Sequence, residues 1–199
     1  MKKIIKKALV TIAAATLLFS ASSSTYAYTL FGGRWVTSLS GSTAPDLHVY
    51  LDPTVSSYGY SGVSKTGYLS WNGISSHMKT AGTTTASAAD VKVYAGDLHT
   101  TDWADTYNYT HISGKNQSWT GVYAYSRVRI NNPELKTENP VLREKVMIHE
   151  FGHVMGLARV TDESTKAIMR QGDNKYYTLQ TDDKNGLKAY TEIKGVLSI

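Results

Sequence analysis

Apolar and polar side chains alternate in two stretches of the first half of the chain, "DLHVYLD" at Asp46–Asp52 and "ADVKVYAGD" at Ala89–Asp97. A period of two puts every second side chain on the same face, so each stretch is expected to form a half-buried strand. Between them, in "GYLSWNGISSHMKTAG", Leu69, Trp71, Ile74 and Met78 recur at near-helical spacing, which predicts a first helix. Residues 97–119 mix polar and aromatic side chains without a usable period and suit a long surface loop with room for one edge strand. "GVYAYSRVRIN" at Gly121–Asn131 alternates again and predicts a further strand, broken by "NNPEL". A helix is expected from about Pro140 to Met155, ended by Gly156 as helices commonly are. The last element is a helix over Asp182–Ile193, with Leu187 and Tyr190 on its buried side. Strand, helix, strands, helix, loop, helix is an α+β order.

Ahead of this pattern, four lysines precede an apolar run from Ala8 to Phe19, and small residues follow up to Thr25-Tyr26-Ala27. That is the layout of a secretory signal peptide cut after Ala27, and the run falls short of the roughly 20 apolar residues a membrane span needs. Residues 1–27 are therefore expected to be removed, leaving 28–199 as one domain. The charge picture changes with them. The formal +5 of the whole sequence, less four lysines, leaves +1, so the basic balance belongs to the targeting segment and gives no support for nucleic acid or membrane as partner. Cysteine is absent, so an exported protein of this sequence has no disulfide and must draw extra stability from packing or bound ions.

The chemistry concentrates in "HEFGHVMGLAR", His149–Arg159. His149 and His153 are four residues apart, so on a helix they differ by about 40° around the axis and ~6 Å along it, and both imidazoles can reach one ion. Glu150 is turned about 100° from His149, where its carboxylate can meet a water on the ion instead of displacing it. Zinc brings the pKa of such a water toward ~7, and the glutamate can take its proton as it attacks a carbonyl. The competing reading is a bare scaffold helix. Against it, "VMIHEFGHVMGL" is apolar around the three polar groups, and burying ionisable groups without a partner costs several kcal/mol.

These residues resemble the zinc helix of the metzincin clan of peptidases, specifically small secreted bacterial relatives of the matrixins. "HEFGHVMGL" matches the zinc helix with Gly156 at its sharp turn, and "AIMRQ" matches the methionine turn around Met169. "GRWV", "SWNGIS", "RVRINNPEL" and "LQTDDKNGLKAY" look like the corresponding pieces of a matrixin domain, so the resemblance covers most of Tyr28–Tyr190. It implies a twisted, mostly parallel sheet with an antiparallel edge strand facing the cleft, helices packed behind it, and a C-terminal helix. It implies Zn²⁺ held by His149 and His153, Glu150 as general base, and Met169 as the floor of the site. The sequence departs from the pattern at Arg159, a permanent cation where a third ligand is expected, at Gln171 where some relatives carry a tyrosine, and in having no proline after the methionine.

The first candidate for the missing ligand is Asp162, with Glu163, Asp173, His48, His77, His99 and His111 behind it. The group Asp97, His99, Asp102, Asp105 and His111 has the residue types for a structural Ca²⁺ or second Zn²⁺. The 14 tyrosines, several near Trp103 and Trp119, could form a glycan-binding surface, but core and edge-strand packing explains them more simply. The expectation is a secreted, extracellular, monomeric zinc endopeptidase acting on a protein or peptide. The alternative, favoured by Arg159, is a non-catalytic relative that binds a protein or wall component.

Overall fold

A computed structural model describes residues 27–35, 46–110, 117–172 and 174–192. The proposed signal segment up to residue 26, His111, Asp173 and the end of the last helix at Ile193 lie outside them. Among the described residues no helix is long and apolar enough to cross a membrane.

The main sheet has five strands: β2 (Asp46–Leu51), β3 (Lys79–Thr83), β4 (Val91–Gly96), β5 (Ala104–Tyr109) and β7 (Tyr125–Asn131), in the order β3-β2-β4-β7-β5. All neighbours are parallel except β5, which runs antiparallel along β7 as the edge. A separate two-stranded parallel ribbon joins β1 (Gly33–Trp35) to β6 (Gly121–Tyr123). Among the described residues five α-helices accompany the sheets: α1 (Pro53–Ser57), α2 (Ser61–Leu69), α3 (Asn132–Leu135), α4 (Pro140–Val154) and α5 (Thr181–Glu192). Alternation works as the pattern anticipates. Val91, Val93 and Ala95 of β4, and Ser126, Val128 and Ile130 of β7, are buried, while Lys92, Arg127 and Arg129 between them stay partly open.

Two expectations are corrected. The first helix lies earlier than predicted: α2 ends at Leu69, where the predicted helix was to begin its apolar stripe, and Leu69 is 41% exposed. Trp71 and Met78 are buried from a folded turn instead. That turn is closed by Asn72, whose side chain donates to the Thr80 carbonyl at 2.9 Å and accepts from the Thr80 N–H at 2.8 Å. It leads directly into β3, so local hydrogen bonding overrode helical spacing. Second, Gly121–Asn131 is two strands in two sheets. The alternation slips between Tyr123 and Ser126, where Ala124 donates to the Tyr109 carbonyl and the chain changes partner.

α4 matches its expected bounds. Asn139 caps it by accepting from the Leu142 N–H at 3.0 Å, and Pro140 follows where no helical N–H is required. Gly156 has φ of 91°, a left-handed conformation that glycine adopts without penalty, and a β-carbon there would collide with the Tyr190 ring of α5. Leu187 and Tyr190 are buried as the α5 pattern requires. α2 crosses α4 so closely that a β-carbon at Gly67 would come within 2.8 Å of Met147 Cβ. α4 is thus fixed between α2 and the sheet, with Tyr190 of α5 against the turn that ends it and its last two turns opening on a cleft.

Candidate metal centre and cleft

His149, Glu150 and His153 are brought together on those last turns. One potential ligand atom from each lies within 4.8 Å of the others, and the two imidazole rings stand nearly perpendicular, 4.7 Å between centroids. Each ring is oriented by a carbonyl of a different loop. His149 Nδ1 lies 2.8 Å from the Ile168 carbonyl, and His153 Nδ1 lies 2.8 Å from the Leu157 carbonyl. A carbonyl only accepts, so Nδ1 carries the proton in both rings and Nε2 keeps its lone pair. Burial lowers the His149 pKa to about 4, with the charges of Arg159 and Lys145 acting in the same direction. Burial, then the neighbouring His149, holds His153 well below its ordinary value. Both imidazoles are therefore neutral at pH 7.

Glu150 is 4% exposed, and burial pushes its carboxyl up to about 7, against a hydrogen bond from Thr106 and the charge of Arg159. The Thr106 hydroxyl, on edge strand β5, donates to Glu150 Oε2 at 2.7 Å. The next inward residue of that strand, Asn108, donates to the His153 carbonyl at 3.1 Å and accepts from Ser126. β5 therefore sets the height of the helix end against the sheet. Two neutral imidazoles, His153 buried and His149 half-buried at the cleft, with their Nδ1 positions committed, fit a zinc ion, which takes nitrogen ligands and tolerates open positions.

Met169 lies beneath. A β-carbon at Gly152 would collide with its thioether and come within 2.9 Å of Trp71, so only glycine lets the helix settle onto that floor. The loop carrying Met169 is held by Asp183, which is 1% exposed: it accepts from the Ile168 N–H at 2.9 Å, the Met169 N–H at 3.1 Å and, at its own helix start, the Gln180 N–H at 2.8 Å. One carboxylate thus ties α5 to the loop whose Ile168 carbonyl aims His149. Sequence reasoning missed Asp183, Thr106 and Asn108. The double acid "TDD" opening a helix was the available signal for the first, while the two β5 residues carry none.

A cleft of about 310 Å³ opens over Val146, His149 and Glu150, between a wall at residues 101–104 and another at residues 170–172. Arg159 lines it. The expected replacement ligand does not arrive. Asp162 is exposed and its carboxylate accepts from the Ser164 N–H and hydroxyl and from Thr165, a turn that closes on itself. Glu163 and His77 are exposed, His48 pairs with Asp90, and His99 pairs with Asp97.

Of the group proposed for a structural ion, His111 lies outside the described residues and His99 pairs with Asp97. Asp105 is committed to Arg129 and Asp102 faces the cleft, so among the described residues His149, Glu150 and His153 form the one metal-capable cluster. Tyr60, Tyr68, Tyr123 and Tyr190 lie in the core, and along β5 and β7 Tyr109 stacks on Tyr125 at 4.5 Å, with Arg127 over the Tyr109 ring and Arg129 over the Tyr107 ring.

The sequence model of the matrixin family matches residues 71–191, which span the sheet from β3 on, the His149–His153 helix, the Met169 loop and α5. No curated protein matches the chain. Among solved structures, a chain of the one described as "GM1 bound form of the ECX AB5 holotoxin" is similar at a TM-score of 0.46 and 14% identity, over 74% of this chain and 80% of that chain. A likeness at that level bears on neither chemistry nor partners. The α+β fold with its mixed sheet and the family match agree, and the chain belongs to the matrixin family of metallopeptidase-like metzincins.

Proposed function

We propose that the protein is a secreted zinc endopeptidase, monomeric, acting on peptide bonds of proteins that enter the cleft over His149. The observation that carries this reading is the pairing of two neutral imidazoles, each fixed through Nδ1, with a buried carboxylate on the same helix end. His149 and His153 would hold the ion through Nε2. Zinc, when bound, supplies a Lewis acid that polarises a carbonyl and makes water acidic. Glu150 takes the proton of the attacking water, whose oxygen adds to the carbonyl carbon. The proton then passes to the departing amine as the C–N bond breaks. Thr106 occupies Oε2 of the carboxylate, which leaves Oε1 to carry that proton.

Glu150→Gln is expected to keep bound zinc, measured by elemental analysis, while peptide hydrolysis falls by about 10² or more, the usual contribution of a positioned base. Undiminished hydrolysis would remove Glu150 from the mechanism. A second reading, a non-catalytic binding protein of the same fold, is favoured by Arg159, a cation lining the cleft at the place of a third ligand. A buried carboxylate kept beside the imidazoles speaks against it, because a binding module has no use for one.

A further inference from the structure

The cleft is positively charged along one side. Arg159, Lys145 and Arg170 all line it, against Asp102 and Glu150 as its acids. The three cations are not equivalent. Lys145 is buried, donates to the Asn174 carbonyl and packs over the Tyr177 ring at 5.2 Å. Arg170 donates to the Glu163 carbonyl at 2.7 Å and lies over Tyr176. These two are fixed charges that shape the field. Arg159 is exposed, lines the cleft beside His149 and Glu150, and no hydrogen bond or ion pair to a described residue holds its guanidinium.

A cationic wall with low-dielectric neighbours such as Val146 and Trp103 attracts an anion, and guanidinium binds carboxylate with two parallel N–H donors. Peptides carry that group in two forms, an acidic side chain or the C-terminus. We propose that Arg159 reads a carboxylate on the substrate, the side chain of an acidic residue flanking the scissile bond, so that position 159 selects substrate in place of ligating metal. This inference rests on the peptidase reading above.

The test uses capped peptides identical except for Glu, Gln or Lys at the residue on either side of the scissile bond, plus one whose own C-terminal carboxylate takes that place. Rates are read on the zinc-loaded wild-type protein, and binding is read by fluorescence anisotropy on zinc-loaded Glu150→Gln, which needs no turnover. The Glu peptide is expected to exceed the Gln peptide by about tenfold or more in both, as a charge-assisted pair supplies. Arg159→Ala should collapse that ratio, and Arg159→Glu should turn the preference toward Lys, with thermal melts confirming that both fold. Equal treatment of Glu and Gln, a ratio that survives Arg159→Ala, or preference for the C-terminal carboxylate over the side chain would each overturn the proposal. Selective binding with no hydrolysis of any peptide would sink the peptidase reading and leave carboxylate recognition standing. Uniform hydrolysis would do the reverse.

Discussion

Arg159 is the residue on which the chemistry turns. It lines the cleft beside His149 and Glu150, at the position where the family pattern carries a third ligand. Arg159→His should therefore add an imidazole to the shell and tighten zinc, read as a slower loss of metal to a competing chelator. Asp162→Ala should leave zinc retention unchanged, because that carboxylate is spent on Ser164 and Thr165. Loss of metal in the second variant, with no effect in the first, would show that the shell has been misassigned. At this scale the sequence was informative where spacing alone decides geometry. A four-residue interval on a helix brings His149 and His153 together whatever the rest of the chain does. It was uninformative about what completes the site, because that depends on the path of the loop after Gly156, where Asp162 closes a local turn with its own neighbours.

Among the elements, the join between α4, the Met169 loop and α5 is the most constrained. Gly152 and Asp183 hold it from two sides. Gly152→Ala should overpack the floor by about 1–3 kcal/mol, and Asp183→Asn should cost a similar amount, since an amide cannot accept three N–H bonds at once. Both should lower the melting temperature by several degrees in calorimetry and release zinc more readily, because the His149 ring takes its aim from the Ile168 carbonyl in this loop. Normal melting in both variants would mean that the loop is held by something else. Elements with an uninterrupted period were legible in advance: β2, β4, α4 and α5 lie within two residues of expectation. The first helix was not, since Trp71 and Met78 reach the core from a turn closed by Asn72, and core-facing side chains in a turn can imitate a helix period.

For the molecule as a whole, stability without disulfides rests on a core rich in tyrosine. Burial raises the phenols of Tyr60, Tyr68, Tyr123 and Tyr190, that of Tyr123 to about 12 from an ordinary 10.0. A folded-state value above the unfolded one means a contribution fully present below pH 10 and lost as pH climbs toward 12. Stability against urea should therefore fall steeply across that window, and Tyr123→Phe should soften the fall, although it gives up the hydrogen bond to the Trp119 carbonyl. A flat profile between pH 10 and 12 would contradict the assigned burial.

This helix end is proposed to hold a metal that does hydrolytic work. Peptide hydrolysis by the purified protein, measured before chelation, after removal of the metal, and after zinc is returned, tests it most directly. Cleavage should disappear with the metal and return with zinc. Cleavage indifferent to the chelator, or none in the zinc-loaded protein against any peptide, would contradict it.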